Sequence, residues 1–189
     1  MNNDFDNFIR HYSSSFQMDD PGKSELQKHL SIVEFKKETT LVRENQHHDF
    51  VYYVIKGAIR SYYGKDGIEI NTWFAFENEI VGSFQNYQNK PSRETLQLVE
   101  NSKLIAVNLR TLKPLLNSHI QISNFIRAII DEYAQFLEDR LYATQFMSSM
   151  ERYVHLLENE PRILQRIPLT CIASYLGISR ETLSRLRGK

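Results

Sequence analysis

The sequence predicts an α+β fold in which a double-stranded β-roll with flanking helices precedes a long helix and a C-terminal helix-turn-helix domain. Short segments rich in Val, Ile, Tyr, Phe and Thr, separated by turn residues, predict the roll. Apolar residues that then recur every three or four positions predict the long helix. Two short helical patterns around a glycine predict the last domain. We assign residues 1–117 to the roll, 118–147 to the long helix and 148–189 to the helix-turn-helix domain.

The first 30 residues are expected to be helical, with the apolar residues from Phe5 to Tyr12 on one face. The strands of the roll are expected from Ile32 onwards, in segments such as FVYYVIKGAIRSYYG and GIEINTWFAFENEIVGS. Between these two segments, Asp66 and Gly67 tolerate the positive φ that a two-residue hairpin turn requires. A hairpin is therefore predicted at this point.

A long helix is predicted after Asn117 and Ser118, which are candidate N-caps. Its apolar residues, from Ile122 to Leu141, cover more of the circumference than one packed face needs. One face would lie on the roll and the other on a second copy of the chain, although a single broad core face within a monomer would also satisfy the pattern. Ser148 and Glu151 have the spacing of a capping box, so a new helix begins there and a hinge precedes it.

The charge distribution, the cysteine count and the absence of long apolar runs exclude several classes of protein. The chain has no net charge, yet residues 162–189 carry six basic side chains and one acidic side chain, which favours a polyanionic partner over a merely solvated basic end. The single cysteine, Cys171, cannot form an internal disulfide or an iron–sulfur site. We found no apolar run of about 18 residues and no signal-peptide pattern. A soluble, cytoplasmic protein without membrane contact is expected.

The last 21 residues fit a helix-turn-helix frame that starts at Leu169. Ala173 is small where the two helices cross, and Gly177 can take the left-handed conformation that ends the first helix. Ser179 is placed to cap the second helix, which leaves a polar outer face. The candidate DNA-contact residues are Ser179, Arg180, Glu181, Thr182, Ser184, Arg185 and Arg187.

These residue types suit a major groove. Arginine offers two parallel donors to a guanine, and glutamate can accept from a cytosine amino group. Further arginines and hydroxyls can bind phosphate oxygens. The sequence therefore predicts a DNA-recognition helix, and double-stranded DNA is the expected partner.

With these motifs, the chain resembles the Crp/Fnr family of bacterial transcription regulators over nearly its full length. The segment DFVYYVIKGAIRSYYGKDGIEINTWFAFENEIVGSF resembles the cyclic-nucleotide-binding roll of that family, and SRETLSR resembles its recognition helix. The resemblance implies a homodimer joined through the long helix, with base contacts by Arg180, Glu181 and Arg185. It also implies RNA polymerase and a small-molecule effector as further partners.

The resemblance implies ligand-binding residues in the roll, although two departures argue against cyclic AMP. The residues are Gly82, Ser83, Phe84, Ser92, Arg93 and Thr95. Where cyclic-AMP binders have Gly-Glu, this chain has Gly82-Ser83, and Glu94 would place a negative charge beside a phosphate. We therefore expect an effector other than cyclic AMP, or a roll that works without a ligand.

Two other classes of function would use different residues. A cupin-like metalloenzyme would draw on His47-His48-Asp49, but neighbouring residues on a strand point to opposite faces, so no metal site and no cofactor is expected. We found no catalytic motif and expect no enzymatic activity. A dimeric protein-interaction module without DNA binding is the remaining alternative.

Overall fold

The computed structural model describes residues 3–13 and 16–187. These residues form two N-terminal helices and eight strands: α1 (Asn3–Tyr12), α2 (Asp20–Gln27), β1 (Leu30–Phe35), β2 (Thr40–Val42), β3 (Phe50–Lys56), β4 (Ile59–Lys65), β5 (Ile68–Ala75), β6 (Ile80–Val81), β7 (Thr95–Leu98) and β8 (Ser102–Asn108). The helices within and after the roll are α3 (Phe84–Tyr87), α4 (Leu109–Leu112), a 3-10 helix (Lys113–Asn117), α5 (Ile120–Phe146), α6 (Ser149–Asn159), α7 (Ile163–Arg166), α8 (Leu169–Leu176) and α9 (Arg180–Arg187).

The strands form two antiparallel four-stranded sheets, in the orders β1-β8-β3-β6 and β2-β7-β4-β5. Alternate side chains of each sheet fill the space between them, where Val54, Ile59 and Leu104 are fully buried. The predicted β-roll is confirmed. The predicted hairpin also forms, because Lys65 pairs with Ile68 around Asp66 and Gly67, which have φ values of 51° and 77°.

The first sheet packs its outer face against helices. Phe8 of α1 and Phe125 of α5 are fully buried there, and both belong to one cluster with Tyr53 of β3. Helix α5 begins at Ile120 with His119 at the N-cap, and no side chain caps it. The predicted cap at Asn117 or Ser118 is therefore wrong, because the 3-10 helix occupies residues 113–117 and postpones the start of α5.

The capping box at Ser148 is confirmed. Its hydroxyl accepts from the Glu151 amide at 3.3 Å, and the Glu151 carboxylate accepts from the Ser148 amide at 2.7 Å. Met147 has an extended backbone conformation between the two helices, so α5 and α6 are separate helices. None of the helices in the described residues is long and apolar enough to span a bilayer.

The C-terminal helices have their own core and also pack on the roll. Ile163, Ile172 and Leu183 are buried in one cluster, which includes Phe76 from the roll. Two polar side chains of these helices, Ser174 and Arg166, bind the roll. The Ser174 hydroxyl accepts from the Asn71 amide and donates to the Glu69 carbonyl on β5, and Arg166 is held by two carboxylates of the roll.

Candidate DNA-binding surface and ligand cavity

Helices α8 and α9 form a helix-turn-helix pair whose turn depends on Gly177. This residue has φ 67° and ψ 34°, which an L side chain rarely adopts. The left-handed turn lets the Ile178 amide donate to the Ala173 carbonyl at 3.0 Å and so ends α8. Leu183 of α9 is fully buried against α8, so one face of α9 is committed to the core.

The first turn of α9 is capped as the sequence predicts. The Ser179 hydroxyl accepts from the Thr182 amide at 3.1 Å. Glu181 lies in this turn, where hydrogen bonds from its own backbone amide and from Ser179 lower the pKa of its carboxyl. Ser179 and Thr182 therefore shape the helix start, and Thr182 is only partly exposed.

The opposite face of α9 is open to solvent. It carries the remaining predicted DNA-contact residues, which are Arg180, Glu181, Ser184, Arg185 and Arg187. Within the part of the chain that the structure describes, none of these arginines forms an ion pair with a carboxylate oxygen within 4.0 Å. The Arg185 guanidinium does donate to the Thr182 hydroxyl at 3.2 Å. The guanidinium groups are therefore available to an external anion.

A second candidate site is a cavity of about 380 Å³ between the roll and α5. Its lining includes Gly82, Ser83 and Phe84, three of the six residues expected to bind a ligand. The other three expected residues, Ser92, Arg93 and Thr95, are not in this lining. Ser92 and Thr95 are buried with internal hydrogen bonds, and Arg93 is exposed.

Gly82 lies where the chain turns from β6 into α3, directly above β3. A Cβ atom at this position would come within 2.4 Å of the Val51 Cγ1 atom. The glycine is therefore required by the close approach of two segments of the cavity wall. Ser83, the next residue, is 2% exposed, so its hydroxyl is not a surface group.

The carboxyl of Glu94 is turned into the roll. It accepts from the Ser61 hydroxyl and from the Trp73 indole nitrogen, the latter at 3.0 Å. Burial raises the pKa of this carboxyl, although both hydrogen bonds oppose the shift. Since Trp73 also lines the cavity, a buried acid lies next to the candidate ligand site. This arrangement is unfavourable for a phosphate.

Sequence reasoning missed several residues of the cavity. Glu79, Glu132, Tyr133 and Phe136 all line it, and of these only Tyr133 and Phe136 stood out, as part of the helical apolar pattern. The hydrophobic period of α5 could not separate residues that fill a core from residues that line a cavity. The two glutamates had no sequence signal, because their meeting depends on the docking of α5 on the roll.

His48, Asp49 and Cys171 contact other side chains of this chain, and His47 is exposed. His48 lies 2.8 Å from the Tyr52 hydroxyl, and Asp49 forms an ion pair with Arg110 at 2.5 Å. Cys171 is partly exposed, with its sulfur 3.6 Å from an Arg60 nitrogen. Over the described ranges, no three His, Cys, Asp or Glu side chains are grouped to hold a metal ion.

A β-roll, a long helix and a helix-turn-helix, in this order, define the architecture of the Crp/Fnr-type regulators. Residues 32–119 match the family model of the cyclic nucleotide-binding domain. Comparison with curated protein sequences gives no match.

Solved structures of such regulators share the fold. FixK2 from Bradyrhizobium japonicum is 21% identical with a TM-score of 0.73, over 84% of this chain and 83% of that one. The c-di-GMP responsive global regulator CLP from Xanthomonas campestris is 19% identical with a TM-score of 0.69, over 89% and 90%. The Thermus thermophilus catabolite activator protein is 15% identical with a TM-score of 0.57, over 96% and 85%. At these identities the likeness establishes the fold.

Proposed function

We propose that this chain is a cytoplasmic, homodimeric transcription regulator that reads double-stranded DNA with α9. The observation that carries the proposal is the solvent-facing row of arginines on α9, which follows the left-handed Gly177 turn of the helix-turn-helix. Major-groove readers place the second helix of such a pair against base edges, with its N-terminal residues closest to the bases. Arg180, Glu181 and Arg185 then contact bases, and Ser184 and Arg187 contact phosphates.

Dimerisation would use the C-terminal half of α5. Leu137 and Leu141 are one helical turn apart and are 46% and 57% exposed. Single exposed leucines are common, but two in line on one face of a helix, both exposed among the described residues, favour a second helix as partner. A parallel pair of α5 helices would hold two α9 helices about 34 Å apart, the spacing of successive major grooves.

Polar contacts connect α5 and the extended residue Met147 to the end of α8. Arg140 of α5 donates to the Tyr175 carbonyl at 2.7 Å and lies 3.9 Å from the centre of the Tyr175 ring. Arg152 of α6 donates to the carbonyls of Met147 and Leu176 at 2.7 and 3.0 Å. These guanidinium groups satisfy the carbonyls that α8 leaves unpaired. A ligand that shifts α5 would therefore move α8, and α9 with it.

The proposal is tested by fluorescence anisotropy on DNA fragments with the wild type and the Arg185→Ala variant. We expect the substitution to cost about 1–3 kcal/mol on the preferred site and to relax the preference at one base pair. The affinity of both proteins should fall steeply as salt rises. Arg10→Ala, which removes an exposed arginine from α1, serves as the control and should bind as the wild type does.

An equal loss on every DNA sequence would reduce Arg185 to a phosphate contact. Unchanged binding by the variant, or binding by the wild type that does not respond to salt, would contradict the proposal and favour a protein-interaction module.

A further inference from the structure

The cavity between the roll and α5 has apolar walls and acidic polar groups. Aliphatic and aromatic side chains make up most of the lining, and none of the described lining residues is a lysine, arginine or histidine. Its two ionisable carboxyl groups belong to Glu79 and Glu132. A volume of about 380 Å³ lies in the range of about 300–1,000 Å³ that small-molecule sites occupy.

Glu79 is an acid without a counter-charge. Its carboxylate accepts only a long hydrogen bond, at 3.4 Å, from the Phe76 amide, and it forms no ion pair with any described residue. Burial raises the pKa of this carboxyl to about 7, and the negative charges of Glu160 and Glu132 add to the shift. A buried carboxylate is costly unless a cation accompanies it, and a bound cation would remove that cost.

Aromatic rings line the cavity beside these acids. Phe84 of α3 stacks on Tyr133 of α5 with ring centres 5.7 Å apart, and Tyr87 and Phe136 extend the stack at 5.9 and 6.4 Å. Trp73 adds an indole to the lining. The faces of such rings attract organic ammonium ions, and tyrosine and tryptophan do so more strongly than phenylalanine.

Two basic side chains contact residues of the lining without lining the cavity themselves. The Lys113 ammonium lies 4.9 Å from the centre of the Tyr87 ring and donates to the Tyr87 carbonyl at 2.5 Å. The outer acid, Glu132, accepts from the Tyr12 hydroxyl at 3.2 Å and lies 3.9 Å from a ring nitrogen of His11. Glu132 is thus partly satisfied, which leaves Glu79 as the acid that a ligand would meet.

We propose that this cavity binds an organic ammonium ion with an apolar body, whose charged end lies at Glu79 and whose body lies among the aromatic and aliphatic walls. This ligand class would be the effector of the regulator proposed above. Binding in the cavity does not require that function, but an effect of the ligand on DNA binding does. The same lining disfavours anions, including the phosphate of a cyclic nucleotide, because it presents acids and no cation.

Three probes of equal chain length test the charge requirement: hexylammonium, 1-hexanol and hexanoate. Trp73 is the single tryptophan, so its fluorescence reports occupation of the cavity, and calorimetry gives the affinity. We expect hexylammonium to bind at least about tenfold more tightly than 1-hexanol and hexanoate not to bind, since one charge-assisted contact is typically worth this much. Glu79→Gln should remove the preference for hexylammonium while keeping the binding of 1-hexanol.

Glu34→Gln, which neutralises an exposed acid of β1 outside the cavity, is the matched control and should keep the preference. Equal or tighter binding of hexanoate, an unchanged preference in Glu79→Gln, or no response to any probe would each overturn the inference. DNA binding is measured on the same preparations. If DNA binding persists while the ammonium preference is absent, this inference fails and the proposed function stands.

Discussion

The ion cluster around Arg166 is predicted to hold the C-terminal domain on the roll. Arg166 donates to both oxygens of Glu77 at 2.7 and 2.8 Å and to Glu100 at 2.5 Å, and its side chain is only 16% exposed. Burial alone would raise the pKa of Glu77. The hydrogen bonds from Arg166 and from the Gly57 amide outweigh it and lower the pKa from 4.5 to about 2.

The size of the effect follows from this pKa. Lowering the pKa of Glu77 from 4.5 to about 2 favours its ionised form by roughly 3 kcal/mol. Solvent reaches one side of the cluster, since the Glu77 side chain is 25% exposed, and screening reduces the value to about 2 kcal/mol. Replacing Arg166 with Met, which keeps the aliphatic stem, should therefore destabilise the protein by about 2 kcal/mol at pH 7.

The pH dependence has a definite sign. Because the folded state holds the pKa of Glu77 below its ordinary value, the stabilisation is complete above pH 4.5 and is lost as the pH falls through 2. Urea unfolding followed by far-UV circular dichroism should give a difference between wild type and Arg166→Met that at pH 3 is less than half its value at pH 7.

Arg162 provides the matched control, since it lies 3.7 Å from the same carboxylate but is 55% exposed. Arg162→Met should cost less than about 1 kcal/mol. A cost for Arg166→Met no greater than that of this control, or one that is the same at pH 3 and pH 7, would show that the ion cluster does not hold the two parts together.

Three further predictions concern the roll and the proposed dimer. Gly82→Ala should destabilise the protein by about 1–3 kcal/mol, because the new Cβ would lie 2.4 Å from the Val51 Cγ1 atom. An unchanged thermal midpoint would show that β3 and the segment around Gly82 can move apart at no cost. Leu141→Glu should convert a dimer into monomers in analytical ultracentrifugation, because it places a charge on the exposed apolar face of α5, whereas Asp139→Glu on the same helix should leave the dimer intact. A persistent Leu141→Glu dimer would locate the interface elsewhere. Calorimetry with cyclic AMP should show no binding at micromolar concentrations, and a micromolar dissociation constant would defeat that prediction.

Features with a local cause could be predicted from the sequence. The turn at Asp66-Gly67, the left-handed Gly177 and the capping box at Ser148 each depend on residues within four positions of one another. The exposed arginines of α9 could be predicted for the same reason, because helical spacing alone separates them from the buried Leu183.

Features that depend on packing between distant segments could not be predicted. The contact between Arg166 and Glu77 joins residues 89 positions apart, and nothing near either residue identifies its partner. The cavity around Glu79 likewise exists only because α5 docks on the roll. The sequence predicts the wrong start for α5 because Ser118 is a residue type that often caps helices. In the structure Ser118 instead ends the preceding 3-10 helix.

The most direct test of the account is the selection of bound DNA from a random pool of duplexes by the purified protein. The account predicts enrichment of a pseudo-palindrome with half-sites about one helical turn apart, and loss of that enrichment when Arg180 and Arg185 are both replaced by alanine. A pool that stays random with the wild type, or an equal enrichment with the double variant, would contradict the claim that α9 reads DNA.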